Sequence, residues 1–271
     1  MRLDLFGIAT LALISGCATP LPPNLPLSDA IREKAASLVA NGQAESATGN
    51  AEAIIHLRAA GNLGMIWTYS LSQRFAKHAD GLSEDLATSM RTSGANSPST
   101  SIRTLSVCGL ITLKSESATA GAAGALVFVP SAGSVTPIPI GNALPAGNRE
   151  VATSLDIPVT GVCAPTVGST FTYRIGGQWE RSVYGPLGTI RLVNDFVETT
   201  SCTAQALTPE YQYLAALGAT LTVRCNHKSI GGRPTDSVFA YLPGARRYIL
   251  VYLGYGESTY NRIEYKSVHY K

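Results

Sequence analysis

The sequence predicts an α+β protein: a short N-terminal helical unit followed by a mostly antiparallel β domain, built as a curved sheet, a sandwich or an open barrel. Three observations carry this. Apolar residues recur at helical spacing between residues 28 and 94. Strict apolar–polar alternation replaces that spacing in the last hundred residues. No long helical pattern separates the alternating segments, which excludes parallel βαβ units. The 271 residues allow one large domain or two small ones, and 45% hydrophobic residues are enough for a real core.

The chain divides into a leader (1–16), a cysteine and proline-rich tether (17–27), a helical region (28–94) and a β-rich domain (95–271). Four prolines in "ATPLPPNLPL" make 18–27 an extended spacer, reaching roughly 30 Å at ~3.1 Å per residue. Ser28 is placed to cap a first helix, with Asp29 at the positive end of its dipole and Ile31, Ala35, Leu38 and Val39 on one face. After a polar loop over 41–49, Asn50 caps a longer helix whose stripe is Ile55, Ala59, Leu63, Ile66 and Tyr69. Gly61 and Gly64 weaken it, and His56 and Arg58 argue against a membrane span. A third helix starts near Ser83, carries Glu84 and Asp85 in its first turn, and ends before Gly94.

"TSGANSPSTS" (92–101) reads as a linker. Beyond it, "IRTLSVCGLITL" (102–113) and "GALVFV" (124–129) are strand-like, and the prolines of "VTPIPI" (135–140) confine it to an edge or an extended loop. The clearest strands come last. In "STFTYRI", Phe171, Tyr173 and Ile175 alternate with polar residues; Leu221, Val223 and Cys225 do so in "ATLTVRC", and Ile263 and Tyr265 in "NRIEYKS". Each has one dry and one wet face, as in antiparallel sheets. "RRYILVYLG" (246–254) is apolar on both faces and belongs in the middle of a sheet.

The N-terminus carries an address. An apolar stretch from Leu5 to Ile14 spans roughly 15 Å as a helix, about half a hydrocarbon core, which suits a signal peptide and not a membrane span. Small residues precede a lone cysteine in Ile14-Ser15-Gly16-Cys17. This stretch resembles the lipobox of bacterial lipoproteins. The resemblance covers about twenty residues and no domain family is recognised beyond it. It implies cleavage before Cys17, a diacylglyceryl thioether on its sulfur and an acyl chain on the new amine. Two lipid signals suffice for stable anchoring. Ala18 in place of aspartate implies export to the outer membrane, facing the periplasm or the cell surface. "GSTFTYR" and the strands after it resemble envelope lipoproteins with half-barrel, lipid-carrier-like sheets, a match too short to transfer any residue.

Four cysteines remain in the exported chain, Cys108, Cys163, Cys202 and Cys225, which is the signature of two disulfides with three possible pairings. Nearest-neighbour pairing, Cys108 with Cys163 and Cys202 with Cys225, is favoured because strand-like residues flank each pair. "CNH" (225–227) offers a metal alternative, yet no CxxC or HxxxH accompanies it, and no metal or cofactor is expected.

There is no G-x-S-x-G, H-E-x-x-H or S-x-x-K, and "GYGEST" (254–259) reads as a hairpin turn. No two of His56, His78, His227 and His269 stand at ligand spacing. A Ser–His–acid arrangement assembled in space stays open, because triads are defined by geometry and not by sequence. Eleven of twelve tyrosines lie after residue 170. Trp179, Tyr248, Tyr252 and Tyr265, with Arg246 and Arg247 and beside them Arg174 and Arg224, form a candidate ligand surface for a glycan, a peptide or an acyl chain. Net charge is +3, too small to argue for nucleic acid. The expectation is an outer-membrane-anchored periplasmic lipoprotein with a non-catalytic binding or scaffolding role. Its partner is an envelope protein, or a glycan or lipid ligand. The alternatives are a lipid carrier with a concave sheet and an envelope hydrolase.

Overall fold

The computed structural model describes residues 26–41, 47–58, 66–78, 80–92, 99–120, 146–157, 161–185, 188–229, 235–255 and 259–271. The leader, Cys17, most of the tether, "GALVFV" and "VTPIPI" lie outside them.

One helix, α1 (Asp29–Asn41), precedes twelve strands: β1 (Gly49–Arg58), β2 (Ile66–Lys77), β3 (Ser83–Arg91), β4 (Ser99–Val107), β5 (Ile111–Ala120), β6 (Ala146–Asp156), β7 (Thr170–Gly185), β8 (Gly188–Ala206), β9 (Leu221–Ser229), β10 (Thr235–Leu242), β11 (Arg247–Tyr255) and β12 (Thr259–Tyr270). A 3₁₀ helix, Pro209–Leu217, joins β8 to β9. Each strand pairs antiparallel with the next, and β1 pairs with β12, Gly49 opposite Tyr270 and Arg58 opposite Tyr260. The sheet is a closed barrel.

The α+β expectation is therefore overturned. Residues 49–91, read as two helices, are β1, β2 and β3. In β1, Ala51, Ala53, Ile55 and Leu57 are buried and alternate with Glu52, Ile54, His56 and Arg58. Period two was available in this segment as well as helical spacing, and a long-range partner decides between them. Without β1 to receive it, β12 would present a row of unpaired backbone groups. The adjacent acids of β3 make the same point. As strand neighbours they face opposite sides: Glu84 meets Arg103 across the outer surface at 2.6 Å, while Asp85 points inward to Arg247. The reading of 92–101 as a linker is corrected in part, since Ser99, Thr100 and Ser101 begin β4.

Helix α1 is present and caps one end of the barrel. Its face of Ile31, Ala35, Leu38 and Val39 joins a core cluster with Leu82, Leu110, Ile157 and Val162, which lie in or beside the connections gathered at that end. Arg32 bonds Asp80 in the β2–β3 turn at 2.7 Å. The connections of the other end, 59–65, 93–98, 121–145, 186–187, 230–234 and 256–258, fall outside the described residues.

Both favoured disulfides are formed. Cys202 and Cys225 are directly opposed on β8 and β9, with Cα atoms 4.0 Å apart. Cys108, in the β4–β5 turn, bonds Cys163 in the β6–β7 connection, with Cα atoms 5.7 Å apart. The Tyr241 hydroxyl donates to the Cys163 carbonyl at 2.9 Å, and the Tyr248 hydroxyl to the Val162 carbonyl, so two barrel tyrosines pin the same connection.

Candidate functional site

Side-chain parity sorts the barrel wall. Outward positions carry exposed charges, such as Arg74, Arg103, Arg174, Arg224 and Arg262. Inward positions carry Ile55, Ile102, Tyr173, Ile263 and Tyr265, which line a cavity of about 140 Å³ inside the barrel. A barrel that faces lipid has the reverse pattern, apolar outside and polar within. No helix among the described residues is long and apolar enough to cross a membrane.

The cavity floor is ionic. Arg247, fully buried, reaches across from β11 and grips both carboxylate oxygens of Asp85 on β3, at 2.6 and 2.8 Å. Its guanidinium also lies 4.1 Å from the ring centre of Phe75. Beside it the Tyr265 hydroxyl donates to Gln73 Oε1 at 3.3 Å.

Three adjacent strands of the wall supply a second polar group. His227 on β9 sits opposite Thr200 of β8 and Thr235 of β10. Glu198 and Ser237, each two residues further along its strand, are its diagonal neighbours on the inner face, within reach of a long side chain. The His227 Nδ1 atom is 3.0 Å from Glu198 Oε1, and Nε2 is 2.6 Å from Ser237 Oγ. A carboxylate can only accept, so Nδ1 carries a ring proton, and in the neutral imidazole Nε2 accepts from the serine hydroxyl. Thr200 Oγ1 donates to Glu198 Oε1 at 2.9 Å and completes the cluster. Glu198 and Thr200 are fully buried, and His227 and Ser237 line the cavity. The Cys202–Cys225 disulfide lies in the next inward row, Cys225 directly opposite Ser237. Asn261 of β12 also faces the cavity, with the Tyr255 hydroxyl beside its amide.

The candidate ligand surface is not one surface. Tyr248 and Tyr265 line the cavity. Tyr252 is on the other face of β11, stacked on Tyr260 with ring centres 6.0 Å apart. Trp179 is half-buried in β7, opposite Glu150 and Asn194. Arg246 occupies the β10–β11 turn at φ 47°, Arg174 and Arg224 are exposed outside the barrel, and Arg247 is in the floor. Glu198, Ser237, Asp85 and Asn261 escaped sequence reading, and His227 entered it as a metal alternative and one of four unmatched histidines. One signal was available: His227 continues the dry face set by Leu221, Val223 and Cys225, where a titratable residue needs partners. Among the described residues no group of three His, Cys, Asp or Glu side chains is placed to hold a metal ion.

Burial raises the pKa of several phenols. Tyr173, beside Glu198, and Tyr248 and Tyr265 are all pushed far up by burial, and Tyr211 reaches about 12 through burial and the nearby Glu210. In the unfolded chain each ionises near pH 10. Above that pH the unfolded state binds fewer protons than the folded one. The stability these phenols contribute should thus be fully present below pH 10 and lost progressively as pH rises further. Phenolate absorbance should show Tyr173, Tyr248 and Tyr265 titrating only as the near-ultraviolet circular dichroism collapses, with Tyr211 titrating near pH 12. Ionisation of every tyrosine near pH 10 with the fold intact would contradict their burial.

No protein-family model matches the chain, and neither does the sequence of any curated protein. In structure the chain is similar to a β-barrel-like protein of a domain of unknown function, DUF1849, from Brucella abortus. The TM-score is 0.45 at 10% identity, over 84% of this chain and 99% of that one.

Proposed function

We propose that the protein is held at the periplasmic face of the outer membrane by acyl chains on Cys17, and that it binds a small, mostly apolar molecule inside its barrel. The observation that carries the binding reading is the cavity: mostly apolar inward side chains surround about 140 Å³ of space, interrupted by the Arg247–Asp85 pair and the Glu198–His227–Ser237 group. This favours the carrier reading over a scaffold, whose sheet would be filled by its own side chains. The size favours a compact ligand. At about 140 Å³ the cavity compares with an apolar cavity of roughly 150 Å³ that takes up benzene. The polar edges supplied by Tyr265, Ser237 and Asn261 suit a ligand with one or two hydrogen-bonding groups.

Benzene and small phenols are expected to stabilise the fold by about 2.7 kcal/mol at a hundredfold excess over Kd, and so to raise the thermal midpoint in a concentration-dependent way. Leu253→Trp, which fills the cavity, should abolish the shift while leaving the barrel folded by circular dichroism. No shift with any such probe, or a shift that survives the filled cavity, would overturn the reading. For the anchor, intact mass from native cells should show a tri- or diacylated Cys17, and Cys17→Ala should release the protein from membranes.

A further inference from the structure

We propose that Ser237 is a nucleophile, with His227 as its base and Glu198 orienting that base, and that it takes the acyl group of a small ester bound in the lumen. The inference rests on the lumen admitting a small ligand and goes beyond simple binding.

The roles follow from geometry. Ser237 Oγ is 2.6 Å from Nε2, and the acid sits on Nδ1 at 3.0 Å, so the imidazole is held in the tautomer a general base requires. All three side chains stand on paired strands and not on loops, and the Cys202–Cys225 bond ties two of those strands beside the site. Such support is what a reacting constellation needs.

In this network Glu198 Oε2 is left without a hydrogen-bond partner. The Tyr255 hydroxyl lies beside the Asn261 amide, within its hydrogen-bonding reach. Asn261 is 2% exposed and stands level with Ser237, since Ser237 is opposite Leu253 and Leu253 is opposite Asn261. The two backbones are two strand spacings apart, about 9 to 10 Å along the wall, and their side chains converge in the lumen. Leu253 stands between them on the same face, and across it the Asn261 amide is the side chain assigned as donor to the oxyanion. Phe239, Leu253 and Ile263 provide the apolar wall for the acyl group, and about 140 Å³ restricts that group to a short chain or a single ring.

The step balances. Oγ bonds to the carbonyl carbon as its proton passes to Nε2, and the carbonyl oxygen becomes the oxyanion. Collapse breaks the bond to the alkoxide, which leaves with the proton from Nε2. Water then attacks the acyl-serine, gives its proton to Nε2, and the collapse returns that proton to Oγ and frees the carboxylic acid.

The test treats the full chain with phenylmethanesulfonyl fluoride and p-nitrophenyl acetate. One sulfonyl adduct per chain, mapped by peptide mass spectrometry to Ser237, is expected, with a stoichiometric burst of p-nitrophenolate. S237A should lose both while keeping its near-ultraviolet circular dichroism. H227Q should slow acylation by about 100-fold, the scale of general-base assistance. No adduct on the wild-type protein, an adduct elsewhere, or a burst that survives S237A would overturn the proposal. If benzene still raises the thermal midpoint while no adduct forms, the nucleophile falls and the binding reading stands; if neither is seen, both fall.

Discussion

Asp85→Leu is expected to lower the unfolding free energy by about 3 to 5 kcal/mol, among the largest effects of any single substitution in this protein. The cause is what it leaves behind. Arg247 is fully buried, and both of its hydrogen bonds to a carboxylate go to Asp85. Its Nε and Nη1 atoms already lack hydrogen-bond partners, so removal of the carboxylate strands a whole guanidinium charge against the Phe75 ring. The pair as such contributes far less than this loss, because both charges were taken out of water to form it. Asp85→Leu with Arg247→Met should therefore recover most of the stability, and the difference between single and double variants measures the coupling. Urea unfolding provides the numbers. A single variant costing under about 1 kcal/mol would mean that water reaches the arginine and that the floor is open.

Removing the Cys108–Cys163 bond by a double alanine substitution is expected to cost about 4 kcal/mol, from the loop-closure entropy of a 55-residue separation. Removing Cys202–Cys225 should cost about 3 kcal/mol, because its separation is 23 residues. The order is the informative part. Cys108–Cys163 fastens the β6–β7 connection over the end of the barrel, where it is otherwise held by Tyr241 and Tyr248, by packing against α1 and by the Gly168 and Ser169 bonds to Ala204. Cys202 and Cys225 are already held by a continuous ladder between β8 and β9. Equilibrium unfolding of the two double variants compares them directly. A larger loss at Cys202–Cys225 would show that packing beside His227 and Ser237, and not chain entropy, governs its contribution.

The strands from β7 onward were legible because their information is local. Thr172 and Arg174 against Phe171, Tyr173 and Ile175 state which face is dry without reference to any other segment. The disulfide pairing was legible for a similar reason, since antiparallel neighbours bring nearby cysteines together. Helix α1 carried its own cap and face. Residues 49–91 were not legible in this way. Ile55, Ile66 and Tyr69 satisfy a helical stripe as well as a strand, and what rules out the helix is β12, at the other end of the chain.

The candidate site shows the same division more sharply. Glu198, His227 and Ser237 stand 29 and 10 residues apart, a spacing that no motif describes. Asp85 and Arg247 are 162 apart. The amino-acid order by itself determined the alternation, the cysteine pairs, the cap helix and the lipobox-like leader, all set by contacts within a few residues or between neighbouring strands. Closure into a barrel, the cavity, its ionic floor and the Ser–His–Glu line were decided by the tertiary structure alone. They depend on register, and register is a relation between strands that an individual strand does not contain.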